Sequence, residues 1–153
     1  MTAPEAESLR IPTAPRRRTA WRGRLPVVAV VALGGACGAA ARYAAGLAWP
    51  AAVGGFPWTT LWINITGCAV MGVFMVLITE VLAAHRLVRP FFGTGVLGGF
   101  TTFSTYAVDV QQLIDRGHAR TALAYLAVTP LAALTMVWLS AATTRRVLTR
   151  RQR

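Results

Sequence analysis

Four long apolar runs dominate the chain, at 25–49, 58–84, 90–114 and 121–142, with short polar or Gly/Pro-rich joints between them. Each matches or exceeds the roughly 20 residues that cross a bilayer as a helix. The joints suit turns. "PAAVGGFP" (50–57) is rich in proline and glycine, "HRLVRP" (85–90) is basic and ends in proline, and "DRGHAR" (115–120) is polar. Proline suits a first helical turn. Trp49 and Trp58 flank the first joint, where aromatic side chains mark a membrane–water interface. The pattern predicts an all-α integral membrane protein with four transmembrane helices in a domain at 25–144. A basic, disordered N-terminal tail (1–24) and a basic C-terminal tail (145–153) flank it.

The third run departs from a plain spanning helix. Its centre reads "GGFTTFSTY", 98–106: paired glycines, four Ser/Thr residues within five positions, and aromatics spaced three apart. Lipid offers no partner to a loose backbone group, so irregular backbone at that depth must be buried in protein or line a cavity. The expectation is a helix broken near its centre, unwound at Gly98 and Gly99 because glycine weakens a helix. Freed carbonyls there suit a hard cation. A half-helix starting near Thr102 presents its amides and positive dipole end. Phe103 and Tyr106 fall on one face, and aromatic rings carry a positive edge that can meet an anion.

Composition narrows the class. The chain has 153 residues, of which 55% are hydrophobic and only 14% charged, too few for the surface of a soluble domain. With four spans, both tails and the second joint share one side and carry thirteen arginines, against Arg116 and Arg120 opposite. That bias places both termini in the cytoplasm of a cell-membrane protein. It accounts for the basic tails without nucleic acid. A twin-arginine or Sec signal at "PRRRTAWRGR" (15–24) and a lipoprotein site at Cys37 are set aside, because the apolar run continues well past that cysteine and three more runs follow. Cys37 and Cys68 fall inside spans as small packing residues, with no metal-type spacing. No arrangement of nucleophile, base and orienting group marks an enzyme.

Polar groups inside spans are costly and mark function. They are Arg42 in the first run; Asn64, Thr66, Thr79 and Glu80 in the second; Asp109, Gln111 and Gln112 beside the third-run motif; and Tyr125, Thr129 and Thr135 in the fourth. The central ones are neutral donors plus one arginine, a set that favours an anion. Any single threonine also reads as glue between helices. Gly34 and Gly38 form a GxxxG that lets backbones approach. Four short helices scarcely enclose a polar path, so a dimer is expected.

"GGACGAAARY", "WINITG" and above all "GVLGGFTTFSTYAVD" make the chain similar to the Fluc/CrcB fluoride channels over nearly everything after the N-terminal tail. The resemblance implies an antiparallel, dual-topology dimer with two ion paths. It also implies passive export of fluoride that enters acidified cells as HF and dissociates inside. It makes Asn64 the pore asparagine and Phe103 the first aromatic of the box lining the path. Tyr106 stands where a second phenylalanine is usual. Ser104, Thr105, Tyr125, Thr129 and Thr135 become further pathway groups, and Arg42 and Asp109 vestibule or electrostatic groups. The carbonyls of Gly98 and Thr101 become ligands of a structural sodium ion. Two features depart from the family pattern: the tyrosine at 106, and an arginine bias that suits one orientation and hence a heterodimer with an oppositely oriented homologue rather than a homodimer. A small four-span multidrug exporter is the main rival, but it needs a carboxylate deep in the membrane. A non-transporting scaffold subunit needs neither Asn64 nor the hydroxyl cluster.

Overall fold

The computed structural model describes residues 24–50, 54–81 and 86–151, and all their regular structure is helical. The expected disordered tail lies outside the described residues, apart from Arg24. Helix α1 (Leu25–Ala48) carries a proline in its first turn and ends at Trp49, whose amide donates to the Ala45 carbonyl at 3.0 Å. Helix α2 (Trp58–Val76) continues into a wider π-helical turn, Leu77–Val81. The third segment is composite: a π-helical stretch Pro90–Leu97, the short α3 (Gly98–Phe100), an irregular stretch at 101–103, and α4 (Ser104–Asp115). Helix α5 (Ala119–Arg151) runs 33 residues with Pro130 inside it.

The turns are set by local chemistry. Gly117 adopts φ 81°, a left-handed conformation that suits glycine. Its amide donates to Ile114 O at 2.9 Å, and that of His118 to Leu113 O at 2.8 Å. These two bonds close α4 in a Schellman motif. At the other joint, the Thr59 hydroxyl donates to Trp49 O at 2.5 Å and ties the start of α2 to the end of α1.

Three helices, Leu25–Ala48, Trp58–Val81 and Ala119–Arg150, are long and apolar enough to cross a membrane. The third segment is interrupted and so lacks a single helix of that length. The molecule is an all-α, multi-span membrane protein of four helical segments, one of them broken. Its outer faces suit lipid: Leu33, Leu47, Leu131, Leu134 and Trp138 are all more than half exposed. The buried cluster is small and centres on Leu61, Tyr106, Leu113, Ala122 and Tyr125.

Two close pairings hold the helices, α1 against the third segment and α2 against α5. Glycine lets the backbones meet in the first. A Cβ on Gly34 would lie 2.5 Å from Phe91 O, and one on Gly38 would lie 2.8 Å from Phe100 N. The second is similar, since a Cβ on Gly72 would come within 2.6 Å of Val137 O.

One expectation needs correcting. The break does not fall on the glycines. Gly98, at φ −67° and ψ −32°, is ordinary helix, and the chain leaves the helix at Thr101, φ −71° and ψ 153°. That extended conformation is open to any residue, so glycine is not needed for it. Gly99 serves close approach instead: its Cβ would sit 3.0 Å from Gly35 Cα. The residues of the basic C-terminal tail through Arg151 continue α5 as helix. At about 50 Å this helix exceeds a hydrocarbon core of roughly 30 Å. Its extension brings Arg145 Nε to 2.7 Å from Glu80 Oε1 on the turn that ends α2.

Gly38→Val is expected to lower unfolding stability in detergent by about 1–3 kcal/mol, because the backbones must part. Gly46→Val, where a Cβ meets nothing within 4 Å, is expected to change it by less than about 0.5 kcal/mol. Equal thermal shifts for the two variants would contradict backbone contact as the basis of the α1 pairing.

Candidate site at the helix break

Breaking a helix orphans backbone groups that must be satisfied where there is no water. Asn64, 7% exposed on α2, answers for both backbone polar groups of Thr102. Its Oδ1 accepts from Thr102 N at 2.8 Å and its Nδ2 donates to Thr102 O at 3.1 Å. Thr102 in turn caps α4, its Oγ1 accepting from Thr105 N at 3.1 Å, the three-residue reach of an N-cap. Arg42 comes in from α1. Its Nε donates to Gly99 O at 3.2 Å and its Nη1 reaches Thr105 Oγ1 at 3.4 Å. The Thr102 hydroxyl also donates to Thr105 Oγ1 at 3.1 Å and lies 3.3 Å from Ser104 Oγ. Three helices thus converge on the stretch 101–105.

Two recesses flank the break. One, of about 480 Å³, is lined by Asn64, Cys68, Gly98, Thr101, Thr102, Phe103, Tyr106, Thr129, Pro130 and Ala133. The other, of about 320 Å³, is lined by Arg42, Tyr43, Thr59, Thr60, Thr102 and Thr105 with neighbouring apolar groups. Thr102 belongs to both, so the unwound backbone forms the wall between them.

In the larger recess Phe103 is 78% exposed, and its ring centre is 5.6 Å from that of Tyr106. Tyr106 is buried; its ring neighbours Tyr125 at 5.2 Å, and its hydroxyl donates to Leu126 O at 2.6 Å. Thr129 Oγ1 is buried in the wall with no partner at hydrogen-bonding geometry. The Tyr125 hydroxyl lies near it but donates to Asp109 Oδ2 at 3.2 Å.

Most of the residues expected from the sequence gather here. Asn64, Gly98, Thr101, Phe103, Tyr106 and Thr129 line the larger recess; Arg42 and Thr105 line the smaller; Ser104 sits exposed at the cap between them. Tyr125, fully buried, and Asp109 stand behind Tyr106 as its support. Thr135 stands apart, bonding back to Leu131 O at 2.7 Å and bordering an apolar groove with Trp62 and Met136. Thr66 and Thr79 likewise bond back to their own helices. Helical spacing separates these cases. Positions 125, 129 and 133 follow one face, whereas 135 lies on another. The sequence marked Thr102 only as the start of a half-helix and not its capping hydroxyl, three residues ahead of the Thr105 amide, and it did not single out Pro130, a proline inside a span.

Asn64→Ala is expected to lower stability by about 1–3 kcal/mol, since it strands the Thr102 peptide. Thr135→Ala is expected to stay within about 0.5 kcal/mol. Thermal unfolding of both variants in detergent checks the contrast, and comparable losses would contradict the role given to Asn64.

The chain matches the family described as CrcB-like protein, Camphor Resistance (CrcB), over residues 29–141. It is 68% identical to "Fluoride-specific ion channel FluC 2" of Streptomyces avermitilis over the whole of both chains. It is 71% identical to "Fluoride-specific ion channel FluC 1" of Streptomyces coelicolor over 88% of each. It is 48% identical to a FluC 2 of Nocardia farcinica over 78% of this chain and 85% of that one. With the family profile covering most of the chain and one of these relatives aligned end to end, this protein belongs to the CrcB-like family.

Proposed function

We propose that this chain is the subunit of a fluoride-specific channel that lets cytoplasmic fluoride leave down its gradient. The observation that carries the reading is the unpartnered, buried Thr129 hydroxyl. It lies in the wall of a recess that also holds the Asn64 amide and the Phe103 ring. Fluoride is small and strongly hydrated, so a path must replace its water with close donors or leave the dehydration cost unrecovered. Hydroxyl, amide and ring-edge groups can do this without a fixed charge that would hold the ion too tightly. The N-terminal end of α4 and the Arg42 guanidinium add positive potential on the far side of the break. The names of the relatives point to the same ion. In this reading the path runs past Asn64, Phe103, Ser104, Thr105, Tyr106, Tyr125 and Thr129. Thr135 joins it only through what a second subunit brings.

A structural sodium ion fits the chemistry of the break. Thr102 N–H, which an unbroken helix would give to Gly98 O, goes to Asn64, and Thr105 N–H, due to Thr101 O, goes to Thr102 Oγ1. The carbonyls of Gly98 and Thr101 thereby lose their helical donors, and both residues line the larger recess. Oxygen ligands of this kind suit a hard cation. Among the described residues no group of three or more His, Cys, Asp or Glu side chains offers another site. Two carbonyls from one chain are half a coordination shell, which fits a site shared by two subunits.

Four spans, both termini in the cytoplasm and an antiparallel pair complete the reading. The arginine bias, thirteen against two, suits a single orientation, so the partner is an oppositely biased homologue. Streptomyces avermitilis has both a FluC 2 and a FluC 3 among the relatives, so one organism can carry two such chains. An exporter driven by a membrane carboxylate fits less well, because Glu80 is paired with Arg145 and Asp109 accepts a hydrogen bond from the Tyr125 hydroxyl.

Liposomes holding the assembled channel should release fluoride to an electrode, and Asn64→Ala or Phe103→Ile should cut the rate at least tenfold. Undiminished efflux from both variants would sink the pathway assignment. Cysteine labelling from each side of the membrane should find one orientation of this chain. Efflux from the chain purified alone, with both orientations labelled, would refute the heterodimer.

A further inference from the structure

The fourth span contains a proline that the fluoride reading does not use. Pro130 has no amide hydrogen, so the carbonyl four residues back, that of Leu126, has no helical donor. In a bilayer that loss must be made good by protein. The donor present is the Tyr106 hydroxyl, at 2.6 Å from Leu126 O. The tyrosine that replaces the expected second phenylalanine of the aromatic box and the helix-interior proline are thus two halves of one arrangement, on different helices.

We propose that Tyr106 is a positioning residue. Its hydroxyl is committed to the carbonyl that Pro130 leaves bare, so it presents its ring, not its hydroxyl, to the recess. This rests on the fluoride reading and deepens it. The hydroxyl bond ties α4 to α5 just beyond the helix break. The same ring contacts Phe103 on one side and Tyr125 on the other, with centres 5.6 and 5.2 Å away. Tyr125 is itself fixed by its bond to Asp109 and by an edge contact with Phe56 at 5.3 Å and 84°. Phe103, 78% exposed in this chain, has the anchored Tyr106 ring as its aromatic neighbour. A phenylalanine at 106 would keep the ring but lose the anchor and leave Leu126 O without a donor.

The test compares the effect of Tyr106→Phe in two backgrounds, the natural Pro130 and Pro130→Ala. In the second, residue 130 regains an amide hydrogen to offer Leu126 O. The channel is studied in liposomes with a ¹³C label on the leucine carbonyls. In the natural background, Tyr106→Phe is expected to slow fluoride efflux roughly threefold to tenfold, as a lost buried hydrogen bond would. It should also lower Tm by about 3 °C and move one labelled carbonyl band to higher wavenumber. In the Pro130→Ala background the same substitution is expected to change efflux less than about twofold and leave the carbonyl band in place. An unmoved band in the natural background overturns the hydrogen bond. A moved band with equal efflux losses in both backgrounds overturns the positioning role and points to the hydroxyl acting on the ion itself. Failure of the wild type to pass fluoride overturns the functional reading, while the band and Tm still decide the Tyr106–Leu126 pairing.

Discussion

The paired hydrogen bonds between Asn64 and the Thr102 peptide are what the rest of the structure depends on. A span broken at mid-membrane exposes backbone donors and acceptors where no water waits, each costing several kcal/mol if left alone. Asn64 presents one acceptor and one donor in the spacing of a peptide and satisfies both at 2.8 and 3.1 Å. Serine or threonine in its place would have only a single oxygen for the two partners. With that peptide held, Thr102 is oriented to cap α4, and Arg42 can take the Gly99 carbonyl.

The same economy recurs around the recess. At the break and at the proline, freed backbone groups are answered by side chains from other helices: Asn64 and Arg42 at the break, Tyr106 at the proline. Further bonds between helices, Tyr125 to Asp109 and Arg145 to Glu80, lie away from these points. Along the seams, glycine brings the backbones of α1 and the third segment, and of α2 and α5, into close approach. Thr129 is left with a buried hydroxyl beside that of Tyr125 and without a partner at hydrogen-bonding geometry, which a folding requirement alone does not explain.

Much of this was legible in the chain. Apolar run length placed the spans, because bilayer thickness fixes helix length and the chain must obey it. The cluster at 98–106 marked the break, since a polar group inside a span needs a reason. Asn64 and Phe103 were found by residue type and by resemblance. Less legible were matters of direction. The glycines pointed to the right place for the wrong reason, because an extended residue such as Thr101 leaves a helix without glycine, and Gly99 is shaped by the approach of Gly35. The reach of α5 to Arg151 was hidden because a run of arginines reads as a tail until an acid such as Glu80 stands opposite it.

The sequence by itself determined the class of protein, the position of its broken span, and the chemical types gathered there, because hydrophobicity, charge and helix-breaking residues act locally or along one axis. Only the tertiary structure decided which partner each polar group takes: Asn64 on the Thr102 peptide, Arg42 on Gly99 O, Tyr106 on the carbonyl freed by Pro130, Thr129 on none. Hydrogen bonds reach about 3 Å. Which groups come within that reach depends on the rotation and depth of several helices at once, and the periodicity of one run carries no record of its neighbours.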